Sequence, residues 1–548
     1  MAAPSAQAGP QGGVVAAGSA SITADGATTT ITQTSDRAVI HWNDFSIGAD
    51  EIAQFVQPGA GSAVLNRVVS NIPSTILGRL SANGRVFLVN PNGVVIGAGA
   101  VIQASEFVAT TLQTDEGAFM RGEDLTFQGD SEASVINYGR IEARGGDVYL
   151  FARHVTNAGE ISAPEGTVGL GAGAEILLAE KGRERMSVRM TLPEGAVASG
   201  VGVTQTGVIA AANAQLESVG GQLYALAINH SGTVRATGLA AGADGRIRLT
   251  AGGGGIVSSG TLTARAADGG GGRITIDAGA GGTAEIAGAV DAASDAGAGA
   301  AGGSIDVFAR DVALTAEARI DASGDAGGGR VRIGGDRMGE GPAPRAETVS
   351  VAEGAEIRVD ARIAGDGGTA IVWSDERTDF HGEGSARGGE DGGDGGFFEV
   401  SGKRDLLFDG WVDLRAPQGD FGELLLDPAD VEIWGGAHNG TNRWNAATLS
   451  AQLAVGHVTI LSTFAGGDID VNADVAWSAD TVLTLDSTGN VTFNADIDND
   501  GEGWVNVTAT GDITVAAGAD ISFHDHTGND GGGTASAHWT AGGDVTIA

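Results

Sequence analysis

The sequence predicts an all-β fold of the β-solenoid kind, in which short strands stack layer upon layer. Three observations lead there. Short sequence units recur every 20–32 residues. Apolar residues within the units alternate with period two, and helical spacing is weak. Glycine reaches 93 of 548 residues while proline stays at 11. Glycine excess without proline excess is not collagen-like, and it suits a fold with many tight corners. Hydrophobic residues make up 42% of the chain, enough to build a core. A unit of ~20–30 residues with two or three strands cannot bury its own apolar face, but stacked at ~4.8 Å per layer it can. Propeller blades need ~40–45 residues and four strands, roughly twice this period.

The elements follow in chain order. Residues 9–60 are irregular and are expected to cap the first open sheet edges. Val86-Phe87-Leu88-Val89 and Val94-Val95-Ile96 read as strands on either side of Asn90-Pro91-Asn92-Gly93. In that turn Pro91 pre-sets φ, Asn92 is expected to tolerate an unusual φ, and Gly93 closes the corner. Asn137-Tyr138-Gly139-Arg140-Ile141 returns as Asn157-Ala158-Gly159-Glu160-Ile161, 20 residues on, and Gly146–Leu150 returns as Gly166–Leu170 at the same spacing. The period then loosens to 27 (Gly245–Thr250 to Gly272–Asp277) and 30 (Val290–Ala292 to Ile320–Ala322), with Gly/Ala/Asp inserts that read as loops. It tightens again as Gly467–Val471, Gly489–Phe493 and Gly511–Val515, each 22 apart, and Gly543–Ile547 follows 32 later. The chain is expected to be the front of a longer protein.

Charge and composition exclude several classes. Thirty-one Lys and Arg face 69 Asp and Glu, a net charge of −38. That disfavours nucleic acid and anionic membranes as partners. Cysteine is absent, which fits a chain that crosses an oxidising compartment unfolded. No apolar run approaches the ~18 residues of a membrane span. Ala6-Gln7-Ala8 resembles a signal-peptide cleavage site, so residues 1–8 read as a signal remnant or a disordered start.

Four motifs then appear in order over residues 39–97. Val39-Ile40-His41-Trp42-Asn43-Asp44-Phe45-Ser46-Ile47-Gly48 resembles an "INWxxFxIG" strand. Phe55-Val56-Gln57-Pro58 with Val64-Leu65-Asn66-Arg67-Val68 resembles "FxQP…ALNRV", and Ile76–Gly84, which contains Asn83, resembles "ILGxLxANG". Val86–Gly97 resembles "VFLxNPNGVxFG", with Ile96 in place of Phe. Together they resemble the two-partner secretion domain of the filamentous-haemagglutinin family, the TpsA exoproteins. Gly303–Ala309, Ile320–Gly324, Gly329–Gly335 and Leu424–Pro428 are similar to segments of its high-molecular-weight adhesins.

The resemblance implies a right-handed parallel β-helix with an N-terminal cap. It implies recognition in the periplasm by the POTRA domains of an outer-membrane TpsB-type transporter, and secretion to the surface or surroundings of a Gram-negative bacterium. It marks Asn66, Asn83, Asn90, Pro91, Asn92 and Gly93 as secretion-motif residues. Asn90 and Asn92 either fix the corner alone or also touch the transporter. An adhesin is the expected function, with a host or neighbouring-cell receptor or glycan as partner. Contact-dependent toxin delivery and capture of haem or host protein are the alternatives within the same secretion class. The expected organisation is a secretion domain over 9–240, a glycine-rich extension with long inserts over 241–430, and a further β-helix over 431–548.

Residues that could carry chemistry are few. Glu390, Asp391, Asp394, Asp468 and Asp512 are candidate carboxylates, yet no recurring Arg or Lys base accompanies them, so no catalytic residue is assigned and no enzyme is expected. Gly388–Gly396 resembles a single Ca²⁺ nonapeptide without the tandem repeat, and His524-Asp525-His526 lacks further ligands at fixed spacing. No metal and no cofactor is therefore expected. Trp411, Trp434, Trp444, Trp477 and Trp504 gather in the last third, either as a sugar-stacking surface or as core between layers. Asn229, Asn439, Asn490 and Asn506 head N-x-S/T sequons.

Overall fold

A computed structural model describes residues 9–180, 185–188, 200–219, 224, 226–238, 244–436, 439–462, 466–523 and 537–547. The signal remnant expected over 1–8 and the pair His524 and His526 lie outside the described residues. The chain parts into two compact units, Met1–Ala267 with Thr275–Thr283 and Asp268–Ile274 with Ala284–Ala548.

In the first unit each coil of chain crosses three parallel faces, each a sheet in its own right save where Glu160–Ala172 and Val208–Ser218 run on from the third face into the first. Arg85–Val89 lies in the first sheet, Val94–Ile96 in the second and Val101–Ala104 in the third. Glu106–Thr110 then returns to the first sheet and pairs in parallel from Glu106↔Arg85 to Thr110↔Val89. The 20-residue repeat holds on all three faces, as Ser134↔His154, Arg140↔Glu160 and Val148↔Val168. Alternate side chains point inward, and Val86, Leu88, Phe107, Ala109, Val148 and Leu150 are fully buried. Their removal from water, at ~25 cal/mol per Å², is what stacking supplies and a lone coil cannot.

The N-terminal cap is present and antiparallel. Val14–Ala17 runs antiparallel to Arg37–Trp42, and Ala20–Asp25 forms a hairpin with Thr28–Gln33. The parallel ladders begin directly behind these, from Thr28–Gln33 to Ile52–Val56 and from Arg37–Trp42 to Ala63–Val68. The cap thus covers edges that would otherwise pair with another chain.

One corner explains the Asn-x-Gly repeat. Asn137, Asn157, Gln205, His230 and Ser258 stand abreast in successive layers, and all are fully buried. Asn137 Nδ2 donates to Asn157 Oδ1 and Asn157 Nδ2 to Gln205 Oε1, each at 2.8 Å. Two residues on, backbones approach so closely that only glycine fits. A Cβ on Gly159 would lie 2.1 Å from the Gly139 carbonyl oxygen, and one on Gly207 would lie 2.0 Å from that of Gly159.

A helix and a small antiparallel sheet were not anticipated. Gln113–Thr114, Leu125–Gln128, Glu175–Leu178 and Met186–Val188 form the sheet, beside helix Glu116–Arg121, whose N-cap Asp115 accepts from the Ala118 amide. Together they cover the outward side of the first sheet. Leu65, Phe87, Val89, Val108, Tyr149 and Phe151 pack there against Phe119, Phe127, Ile176 and Met186. The signal for this cover was in the sequence. Arg85–Val89, Glu106–Thr110 and Val148–Ala152 are buried at every position, as their near-unbroken apolar runs require.

The second unit repeats the three-sheet plan with longer excursions. Arg319–Asp321, Glu356–Arg358, Glu383–Ser385 and Trp411–Asp413 follow one another on one face. Helix Ala446–Leu453 ends that ladder: the Gln452 side-chain amide accepts from the Val412 amide at 3.2 Å and donates to its carbonyl at 2.6 Å. Beyond it the 22-residue period is a register, Ile469↔Val491 and Val491↔Ile513, then Ile513↔Val545.

Candidate functional site

The secretion-motif residues come together in consecutive coils at the front of the first unit. Trp42 and Asn66 point into the core, both fully buried. The Trp42 indole donates to Asn66 Oδ1 at 2.9 Å, and Asn66 Nδ2 donates to the Phe87 carbonyl at 3.3 Å. An indole N–H needs a partner when buried, so the "INW" and "ALNRV" motifs are two halves of one contact. Phe45 packs on Trp42 with centroids 5.5 Å apart and lies over Phe55 at 6.4 Å.

Asn83 joins the next two motifs. Its Oδ1 accepts from the Gln57 amide at 2.7 Å and its Nδ2 donates to the Gln57 carbonyl at 2.8 Å, in the manner of a strand pair. Gln57 in turn donates to Gln33 Oε1, Ser62 O and Arg85 O.

Asn90 is fully buried. Its Nδ2 donates to the Ile72 carbonyl and Ser74 Oγ, both at 2.9 Å, while its Oδ1 accepts from the backbone and side-chain amides of Asn92, both at 3.0 Å. Asn92 Nδ2 also donates to the Ser70 carbonyl at 2.9 Å. The Gly93 amide closes the turn onto the Asn90 carbonyl at 3.0 Å, and Ser131 Oγ donates to the Pro91 carbonyl at 2.5 Å. The unusual φ expected at Asn92 falls instead on Gly93, at +112°. Asn92 spends its side chain tying Ser70 to Asn90, and glycine takes the left-handed backbone at no steric cost. Exposed apolar groups stand on the segment this corner holds: Val69 at 55% and Ile72 at 44% beside the turn, and Leu77 at 42% past the far end of strand Ser74–Ile76, next to Gly97.

An ionic cluster that the sequence reading missed anchors the covering sheet. Arg85 pairs with Glu106 at 3.0 Å and Glu180 at 2.7 Å, and Arg37 reaches Glu180 at 3.1 Å. Arg185 pairs with Glu106 at 3.0 Å and with Asp147. Burial opposes ionisation of Glu180, but the bonds and charges of Arg85 and Arg37 outweigh it and lower its pKa. These partners lie 21 to 143 residues apart, so no local pattern exposes them.

The candidate carboxylates elsewhere hold layers together. Asp468 Oδ1 accepts from the Asn490 amide at 2.7 Å, Asn490 Oδ1 from Asp512 at 2.9 Å, and Asp512 Oδ1 from Asp544 at 2.9 Å. Asp394, in the loop that resembles a Ca²⁺ nonapeptide, accepts from the Asp420 amide at 2.9 Å. Among the described residues no group of three or more His, Asp or Glu could hold a metal ion, and no helix is long and apolar enough to cross a membrane. The sequon residues Asn439 and Asn490 use their amides on Phe408 O and Asp468 Oδ1. The tryptophans divide: Trp444 and Trp477 are buried, Trp434 is half-buried under Arg443, and Trp411 and Trp504 are exposed.

Comparison with known proteins agrees with this geometry. Residues 6–264 match the model of the TPS secretion domain. The crystal structure of the HMW1 secretion domain from Haemophilus influenzae is similar at 29% identity and a TM-score of 0.54, covering 76% of this chain and 100% of that one. A heme/hemopexin-binding protein of Haemophilus influenzae (strain ATCC 51907 / DSM 11121 / KW20 / Rd) is 38% identical over 162 residues, 28% of this chain and 18% of that protein. Another from Haemophilus influenzae is 46% identical over 82 residues, 15% of this chain and 9% of that protein. The chain thus matches less than a fifth of the length of these curated relatives. Residues 6–264, with their capped parallel coils and interlocked asparagine motifs, therefore belong to the TPS secretion domain family, the module that opens TpsA-type exoproteins.

Proposed function

We propose that the chain is the front of a large exoprotein carried across the Gram-negative outer membrane by a TpsB-type transporter, whose POTRA domains bind the first unit. The carrying observation is the contrast at the Asn90 corner. Asn90 is fully buried and its side chain is spent inside the fold, while Val69, Ile72 and Leu77 stand exposed on the segment it holds. Asn66, Asn83, Asn90, Pro91, Asn92 and Gly93 act here as the frame. The apolar residues around them are the surface the transporter reads, since exposed apolar groups beside a rigid corner suit protein recognition.

Export of the chain behind a signal peptide, with and without its transporter, tests this. Asn90→Ala should lose about 1–3 kcal/mol of stability and export together. Ile72→Asp and Leu77→Asp should melt like the parent yet stay in the periplasm. Normal export of both surface variants overturns the surface assignment, and export without the transporter overturns the reading itself.

Outside the cell, the exported body serves attachment to a host or neighbouring-cell receptor or glycan. A second reading, capture of haem or a haem-carrying host protein, draws on the names of the two matched relatives. Binding of haem or hemopexin to the purified full-length exoprotein separates the two.

A further inference from the structure

We propose that the face formed by Glu356–Arg358, Glu383–Ser385 and Trp411–Asp413 in the second unit binds an uncharged oligosaccharide. It rests on the attachment reading for its use, while the site stands on its own geometry. A groove of about 360 Å³ runs across these three strands. A second hollow of about 350 Å³ continues it past His381 and Asp409 and shares Glu383 and Trp411 with it. Volumes of this size hold small ligands.

The register sets the chemistry. Glu356, Glu383 and Trp411 stand abreast in successive layers, and Arg358, Ser385 and Asp413 form the next row. Trp411 is 37% exposed although large and lines both hollows, so its indole is within reach of a ligand in the groove. A pyranose ring presents C–H groups that stack on an indole face, the apolar counterpart of its hydroxyls. Glu356 is paired with Arg358 and with Arg319 at 3.1 Å, and Asp413 with Arg415 at 2.6 Å. Asp360 is held by the Arg387 amide at 2.8 Å and Ser385 Oγ at 2.9 Å. These fixed carboxylates and guanidiniums offer acceptors and donors side by side, which is what a hydroxyl requires.

Glu383 differs from them. Its carboxylate has no hydrogen-bond or ion-pair partner among the described residues, and the strand beside it places Glu356 directly opposite. Like charges abreast are unfavourable, and hydroxyl donors from a ligand would relieve them. Glu356, Asp360, Glu383 and Asp413 outnumber Arg358 and Arg387 in a chain of net charge −38. The groove therefore repels sialylated and sulfated sugars and favours neutral ones. The ladder also ends here, because Gln452 caps Val412, which leaves Trp411 on the last strand.

The test uses the purified 548-residue chain on an array of neutral, sialylated and sulfated oligosaccharides. Titration of the best-bound neutral sugar into Trp411→Ala, Glu383→Gln and the control Trp504→Ala follows. Circular dichroism and melting confirm that each variant is folded. The expected result is retention of neutral sugars only, with affinity lowered ~10-fold or more by Trp411→Ala and by Glu383→Gln and unchanged by Trp504→Ala. Retention of no neutral sugar, preference for acidic ones, or undiminished binding by Trp411→Ala overturns the site. Export is read in a separate assay, so a chain that is exported but binds no sugar overturns this site alone.

Discussion

Asn66 shows what a single motif residue does in this fold. It sits where an alternating strand would place a Val or Leu, because the neighbouring coil buries an indole N–H that must find an acceptor. Asn66→Ala should therefore cost about 1–3 kcal/mol, beyond its lost contacts, by stranding the Trp42 donor. Urea unfolding measures it, and combining Asn66→Ala with Trp42→Phe should recover part of the loss. An unchanged midpoint for Asn66→Ala would remove the bond from the account. Asn90 follows the same logic at the corner. The sequence marked both residues through their motifs, but their partners Trp42, Ile72 and Ser74 emerged only when coils were stacked.

The element-scale unit is the coil with its glycine corner. Gly139, Gly159, Gly207, Gly232 and Gly260 pile up at one edge, each facing the carbonyl of the layer before. A methyl group on Gly159 must push backbone, not a flexible side chain, so Gly159→Ala should destabilise the first unit by about 1–3 kcal/mol. Gly26→Ala, where nothing lies within 4 Å of the added carbon but φ is +56°, should cost only the smaller backbone strain of about 1 kcal/mol. Thermal melts of the two variants give the comparison, and equal losses would contradict the layer-contact argument. This corner was legible as an Asn-x-Gly repeat. The covering sheet was less so: its strands belong to inserts without repeat, and only the unbroken apolar runs beneath it pointed to a second layer.

The two compact units carry buried titrating groups of opposite sign. His230, in the first, is fully buried, and burial lowers its pKa to about 4 from 6.5 although a bond with the Gly232 backbone works the other way. An unfolded imidazole gains its proton earlier on acidification than the folded one, so the first unit loses stability as pH falls from 6.5 towards 4. Glu399, in the second, is also fully buried, and burial with the nearby Asp427 charge raises its pKa from 4.5 to about 7, against the Met338 amide that donates to it at 2.8 Å. An unfolded carboxyl ionises first, so the second unit loses stability as pH rises from 4.5 towards 7. Each effect amounts to roughly 3 kcal/mol when fully developed. His230→Gln should flatten the acid side of the stability profile, and Glu399→Gln should raise stability at neutral pH and not near pH 4.5. Melting across this range checks both, and parallel profiles for parent and variants would refute the assignments.

The sequence by itself determined the coil. Repeat spacing, period-two alternation and glycine corners are local properties, and a stack of like layers turns local pattern directly into register, as the 20- and 22-residue steps did. It also marked the secretion-domain motifs. Only the tertiary structure decided which motif residues are frame and which are surface, since Asn90 and Ile72 are separated by burial and not by residue pattern. The same holds for the Arg85–Glu106–Arg185 cluster, for the Gln452 amide that ends one ladder, and for the groove beside Trp411. Each depends on contacts between distant residues or successive coils, and insert length, which sets those neighbours, follows no period.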